Sequence, residues 1–211
     1  MRKFIFTITT LLTIGFTAHS QEINYGIKAG LNLADFGKDA EHTNVKPGFT
    51  AGVLAEIKFT ENFAVQPEIV YSQQGSELVY NIFFGDKLGT KDVYTAKIGY
   101  INIPITVKYY IIEGLSIQAG PQIGFLVSAK DKAKHSNYYD DTENETLELD
   151  SKDLYKKIDF SIVGGIGYDL PIGLFLQARY SYGLTDINDD PEADGVKISN
   201  NVISFSVGYK F

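Results

Sequence analysis

Ile23-Asn24-Tyr25-Gly26-Ile27-Lys28-Ala29-Gly30-Leu31-Asn32-Leu33 alternates without a break. Ile23, Tyr25, Ile27, Ala29, Leu31 and Leu33 fall on one face, and Asn24, Gly26, Lys28, Gly30 and Asn32 on the other. A period of two belongs to a β-strand, whose successive side chains point to opposite faces. The pattern returns in Phe49, Ala51, Val53, Ala55, Ile57 and Phe59 against Gly48, Thr50, Gly52, Leu54, Glu56 and Lys58, and again in Phe63, Val65, Ile69 and Tyr71 against Gln66, Glu68 and Ser72. Five more strands are predicted at about 98–110, 115–128, 158–170, 174–184 and 201–211. Most are about 10 to 13 residues long, enough for a tilted strand to cross a bilayer.

The connections alternate as well. Thr60-Glu61-Asn62, Ile111 to Gly114 and Pro171-Ile172-Gly173 are tight turns, whereas the stretches around 34–47, 73–97, 129–157 and 185–200 are long, polar and charged. An even strand number with short turns at one end and long loops at the other predicts an all-β fold: an eight-stranded antiparallel up-and-down transmembrane barrel of the outer membrane, short turns toward the periplasm. A soluble lipocalin-like barrel and a β-sandwich share the alternation but would pack the apolar face inward. The polar face decides between them. It mixes Gly26, Gly30, Gly52, Gly120, Gly124, Gly165, Gly167 and Gly208 with Gln118, Gln122, Gln177, Arg179 and Glu68. Glycine only weakens a solvated strand, but inside a narrow bore it makes room for long neighbours. Pro67, Pro104 and Pro121 sit inside predicted strands, and bulges or strand ends are expected beside them.

Both termini carry addresses. Arg2 and Lys3 precede an apolar stretch from Phe4 to Phe16, then Ala18-His19-Ser20, which predicts a signal peptide over 1–20 cleaved before Gln21 and a single barrel domain over 21–211. The apolar stretch is too short for a spanning helix, which needs roughly 20 residues. At the other end Ile203, Phe205, Val207, Tyr209 and the terminal Phe211 alternate with small and polar residues. We read Phe205, Val207, Tyr209 and Phe211 as the signal that the outer-membrane insertion machinery recognises.

Composition agrees with this while looking ordinary. The 211 residues have a mean hydropathy of -0.07 and 21% charged residues. There is no Cys, which removes disulfides, thiolate zinc sites, thiol nucleophiles and a lipoprotein anchor. A net charge of -7, or -9 once Arg2 and Lys3 are gone, argues against a nucleic-acid partner.

The segments INYGIKAGLNLADF, YINIPITVKYY, LSIQAGPQIGFLVSAK, IVGGIGYDLPIGLFLQARYSYGLTDI and ISFSVGYKF, covering nearly all of the mature chain, resemble the outer-membrane β-barrel domain family of small porin-like, PorT-type proteins. The resemblance implies the barrel and its outer-membrane location. It implies no activity, since most members have none assigned, and no residue here carries over a role in secretion or gliding.

The chemistry is sparse. After cleavage only His42 and His135 remain, both in predicted loops, and His135-Ser136 are sequence neighbours rather than a preorganised pair. No catalytic, metal or cofactor residue is assigned. Lys28, Glu56, Glu68, Lys108, Asp159 and Arg179, with Lys58, Asp169 and Lys210, lie on the lumen face and are expected to form a neutralising plug. The acids Asp140, Asp141, Glu143, Glu145, Glu148, Asp150 and Asp153 read as a solvated loop. Asp186 to Asp194 begins like a calcium loop but has Pro191 where glycine is required. The expected function is non-catalytic: surface interaction, adhesion or envelope organisation through loops 73–97 and 129–157, with membrane lipid and a surface ligand or protein as partners. A narrow channel and a lipid-modifying or proteolytic barrel enzyme are the alternatives.

Overall fold

The computed structural model of the chain describes residues 22–38, 43–84, 87–137, 145–191 and 195–211. The predicted signal peptide and His42 lie outside them. Among the described residues there are nine strands: β1 (Glu22–Lys38), β2 (Thr43–Lys58), β3 (Phe63–Phe84), β4 (Lys87–Tyr110), β5 (Leu115–Asn137), β6 (Glu145–Asp150), β7 (Ile158–Asp169), β8 (Leu174–Gly183) and β9 (Ile198–Lys210). All pairings are antiparallel, and the order β4-β3-β2-β1-β9-β8-β7-β5 closes on itself through β4–β5. Eight strands thus form a barrel, and closure leaves the membrane part no free sheet edge. Among the described residues β6 pairs with β5 alone.

Local chemistry sets the tight turns at 59–62, 111–114 and 170–173. Thr60 Oγ1 accepts the backbone N–H groups of Asn62 and Phe63 at 3.3 and 3.0 Å. Gly114 and Gly173 take φ of 79° and 85°, a left-handed conformation that costs glycine little. Between the turns the burial pattern is the inverse of a soluble protein's. Ile27, Leu31, Val53, Ile69, Ile105, Ile166, Leu176, Ile203 and Val207 are exposed, while Asn32, Glu56, Gln66, Glu68, Lys108 and Gln118 are buried. Hydrocarbon takes the first set and the bore the second. Exposed Tyr25, Phe63, Tyr109, Tyr168 and Tyr209 gather near the turn end, as an interfacial aromatic belt does.

Two expectations are corrected. First, the stretches 73–97 and 129–157 are largely strand rather than loop. β3 has 22 residues against 10 in β8, twelve more, or roughly 40 Å of additional strand at about 3.3 Å per residue. Since β8 by itself is long enough to cross the apolar band, β3, β4, β5 and β6 continue past the lipid as a projecting four-stranded sheet. Second, register shifts lie between Val45 and Thr50, Ile82 and Phe83, and Gly99 and Tyr100, not at the three prolines. At each proline one ladder is kept and the other lapses for two residues. Pro67 pairs with Ile105 while β2–β3 skips from Leu54↔Glu68 to Ile57↔Val65. Pro104 pairs with Gln122 while β3–β4 skips from Pro67↔Ile105 to Val70↔Asn102. Pro121 pairs with Ile162 while β4–β5 skips from Pro104↔Gln122 to Val107↔Ala119. Proline lacks one donor and keeps an extended φ, so the register survives on both sides of each gap.

The lumen glycines make room for long polar neighbours, as Gly167 does for Gln118 and Gln177, and for backbone as well. A Cβ on Gly165 would strike the Ala178 carbonyl oxygen and approach Arg179 Cγ to 2.9 Å; one on Gly208 would strike the Phe175 ring and the Ile27 carbonyl oxygen. The close neighbour is backbone of the adjoining strand as much as a polar side chain, because a narrow barrel bends its wall sharply.

The outer mouth is capped. Residues 151–157 and 184–190 fold across it, joined by the bond from Lys156 N–H to Ile187 O at 2.8 Å and that from Asp189 N–H to Leu154 O at 2.9 Å. Ile187 is fully buried on Ile98, Tyr100, Leu126 and Ala129, with Phe36, Tyr155 and Ile198 around them.

Candidate functional site

The lumen is built in layers, each drawing on every second strand around the ring. The upper layer joins β1, β3, β5 and β8. Glu68 accepts two bonds from Arg179, Nη1 to Oε2 at 3.0 Å and Nη2 to Oε1 at 2.5 Å, and pairs with Lys28 Nζ at 2.5 Å. Arg179 Nη2 also donates to Gln118 Oε1 at 2.7 Å, and Gln66 Nε2 donates to Glu68 Oε1 at 2.5 Å. The planar guanidinium suits this site because it meets a carboxylate with two parallel bonds. The lower layer, toward the tight turns, joins β2, β4, β7 and β9. Lys108 Nζ pairs with Glu56 at 2.5 Å and Asp169 at 3.2 Å, and Lys210 Nζ with the same two carboxylates at 2.8 and 2.7 Å. Tyr110 Oη bridges them, 2.9 Å from Glu56 and 2.6 Å from Asp169.

Near the outer end Asp159 accepts from Thr185 Oγ1 at 2.5 Å and from Asn200 Nδ2 at 3.1 Å. Lys28, Glu56, Glu68, Lys108, Asp159 and Arg179 are therefore all buried in the bore and distributed over three levels. Asp169 and Lys210 join the lower one. Lys58 does not: it stands at the turn end, 3.7 Å from exposed Glu22. Sequence reading missed Tyr110 as a member, because its neighbour Tyr109 carries the same ring to the lipid face and only register tells them apart. Next to the upper layer the bore retains a polar space of about 30 Å³, lined by Asn32, Ser72, Gln122 and Ser204 among others, room for one or two waters.

On the outer wall of β9, Phe205, Val207 and Tyr209 are exposed, and Phe211 N–H donates to Tyr25 O at 2.9 Å beyond the strand end. His135 lies on the projecting part of β5, its Nδ1 2.5 Å from Asp92 Oδ1 of β4. Ser136, as the next residue of the strand, belongs to the opposite face.

The acidic stretch after β8 spends its carboxylate on the cap. Asp186 accepts the N–H groups of Ile198 and Asn188 at 2.9 and 3.1 Å and pairs with Lys156 at 3.0 Å. Burial acts to raise its pKa, but those donors outweigh it and hold the carboxyl below the usual aspartate value. Among the described residues no three His, Asp or Glu side chains are arranged to hold a metal ion.

Above the cap the projecting sheet has two unlike faces. Its pairing rows place Ser76, Ala96, Asp131 and Leu149 side by side, then Leu78, Tyr94, Ala133 and Leu147, on the inward face. The rows between them put Lys130, Lys132 and Glu148 on the other, where Lys130 pairs with Glu148 at 2.8 Å. A cleft of about 590 Å³ lies between the inward face and the mouth, reaching Phe36, Tyr155 and Ile198.

A closed wall with an apolar exterior, polar filling and short turns at one end defines an integral barrel of the outer membrane. The chain belongs to the outer membrane protein beta-barrel domain family, whose model matches residues 18–189. No curated protein matches it. Among solved structures it is similar to Ail, the attachment invasion locus protein of Yersinia pestis, at 14% identity over 90% of this chain and 99% of that one, with a TM-score of 0.48. It is also similar to Neisserial surface protein A, at 13% identity over 89% and 97% with a TM-score of 0.47. A third is OprG of Pseudomonas aeruginosa, at 13% identity over 90% and 97% with a TM-score of 0.39.

Proposed function

We propose that the protein works without catalysis at the cell surface, in adhesion or envelope organisation, through the sheet that β3, β4, β5 and β6 raise above the membrane. The observation that carries this is the contrast along the barrel axis. The bore is filled by ion pairs down to a space of about 30 Å³, while the part beyond the lipid opens an apolar cleft of about 590 Å³ beside β6, a strand bonded on one side only among the described residues. Such an edge and such a face are where protein surfaces accept partners. In the same reading the first twenty residues are removed on export, Phe205, Val207, Tyr209 and Phe211 are read during insertion, and Lys28, Glu56, Glu68, Lys108, Asp159 and Arg179 plug the bore.

The test is to shorten the β3–β4 projection to a tight turn between Ser76 and Ala96. The barrel is expected to keep its heat-modifiable migration while cells displaying it lose attachment to surfaces that the full-length protein confers. Attachment unchanged, together with stable unitary currents of the intact protein in planar bilayers, replaces this reading with that of a narrow channel.

A further inference from the structure

The cleft above the cap is apolar along its walls and ends on a carboxylate. Leu78, Tyr94, Leu147 and Leu149 line it, and Leu147 and Leu149 are 56% and 57% exposed. Asp131 sits on the same inward face of β5 at the foot of the cleft, where Tyr155 Oη donates to its Oδ1 at 3.3 Å. Among the described residues no Lys, Arg or His forms an ion pair with Asp131: Lys130 turns to Glu148 on the opposite face, and Lys156 to Asp186 in the cap. Glu77 and Lys132 reach the cleft only at its border, from the row whose side chains take the other face. Burial pushes the Asp131 carboxyl above the usual aspartate value, against the bond from Tyr155. A half-buried carboxylate with only neutral donors is short of a cation.

We propose that this cleft binds a lipophilic ammonium ligand, an arylalkyl or alkyl amine whose chain lies on Leu78, Tyr94, Leu147 and Leu149 and whose nitrogen reaches Asp131. Three features select that class. The volume falls within the roughly 300–1,000 Å³ of small-molecule sites. The walls take an apolar body, with the aromatic rings of Tyr94 and Tyr155 among the lining residues. The charge at the foot disfavours the fatty acids and anionic lipids that an apolar cleft would otherwise take. This assignment rests on the reading of the projecting sheet as a contact surface.

The experiment uses the full-length mature barrel in nanodiscs of zwitterionic lipid, with empty nanodiscs as the blank, and titrates 4-phenylbutylammonium, 4-phenylbutanol and 4-phenylbutyrate by calorimetry. The ammonium is expected to bind saturably at one site, at least tenfold more tightly than the alcohol and more tightly still than the carboxylate. Asp131→Asn is expected to bring the ammonium down to the level of the alcohol. Should Asp131→Asn fail to fold, Leu147→Asn with Leu149→Asn on the exposed β6 strand serves instead, and is expected to weaken ammonium and alcohol alike by about tenfold. Equal binding of ammonium and alcohol, binding no greater than that of empty nanodiscs, or ammonium binding indifferent to these substitutions overturns the proposal. If it is overturned while shortening β3–β4 still abolishes attachment, the surface reading stands and only the ligand class falls.

Discussion

In the bore, Glu68, Arg179, Lys28, Glu56 and Lys108 are stacked out of contact with bulk water, each against an opposite charge. In the projecting sheet, Tyr94, Leu147 and Leu149 stand exposed beyond the reach of lipid. Both regions invert the usual placement of polar and apolar groups, for different reasons. The barrel wall gives its apolar face to hydrocarbon, so polar groups are left to fill the inside, and they are tolerated there because nearly every charge has a partner. The projecting sheet has no hydrocarbon beside it. Among the described residues its inward face looks onto the cap across the apolar cleft.

The difference can be broken from the bore side first. Glu68→Ala leaves Arg179 and Lys28 buried without a carboxylate, and is expected to cost about 3–5 kcal/mol in urea unfolding from vesicles. The double change Glu68→Gln with Arg179→Met is expected to cost much less, since no lone charge remains. At the boundary between the two regions, Ile187→Ala removes the apolar anchor of the cap. A loss of about 2–4 kcal/mol and rapid protease cutting near 185–198 are expected, with the heat-modified migration of the barrel kept.

Acid sharpens the same boundary. The Asp186 carboxyl is held below its unfolded value, so its contribution is fully present above a pH of about 4 and is lost as pH falls through the folded value. Cutting by pepsin near residue 187 is expected to rise toward roughly pH 3, while in Asp186→Asn the site is already open and the rise is absent. The smallest effect belongs to the projecting sheet. Leu147→Ser with Leu149→Ser is expected to change unfolding by less than about 0.5 kcal/mol, because those side chains are already more than half exposed. A large loss there would mean that β6 is part of the stabilising core after all.

Much of the barrel was legible because hydrocarbon imposes one rule on every stave. Ile203-Ser204-Phe205-Ser206-Val207 can be assigned to faces without knowing any neighbour. Where lipid ends, the rule ends. Leu78-Val79-Tyr80 and Val93-Tyr94 put apolar residues on both faces, charges such as Asp92 and Lys97 enter on both sides as well, and the stretch reads as loop although its β-branched and aromatic residues favour strand. Ile187 was hidden by its acidic company. A single apolar residue among Asp186, Asp189 and Asp190 says nothing of a cap until the chain is seen to fold back over Tyr100. The lumen residues were readable as a set, yet their grouping was not. Glu56 meets Lys108 and Glu68 meets Arg179 because of strand stagger, a property of the closed ring that no single strand records.

The drawing of each ionic layer from alternate strands bears on how the barrel comes apart. In an open sheet Arg179 on β8 and Glu68 on β3 are far from one another, and no adjacent pair of strands can assemble either layer. The Lys28–Glu68 and Lys108–Glu56 pairs each flank a single intervening strand, but the Arg179–Glu68 bonds cross the ring and can form only when the last seam has closed, so they contribute little to the folding transition state and most of their weight falls on the escape rate. The Arg179–Glu68 pair would then act as a latch: removing it is felt chiefly as faster unfolding, with the speed of assembly nearly unchanged.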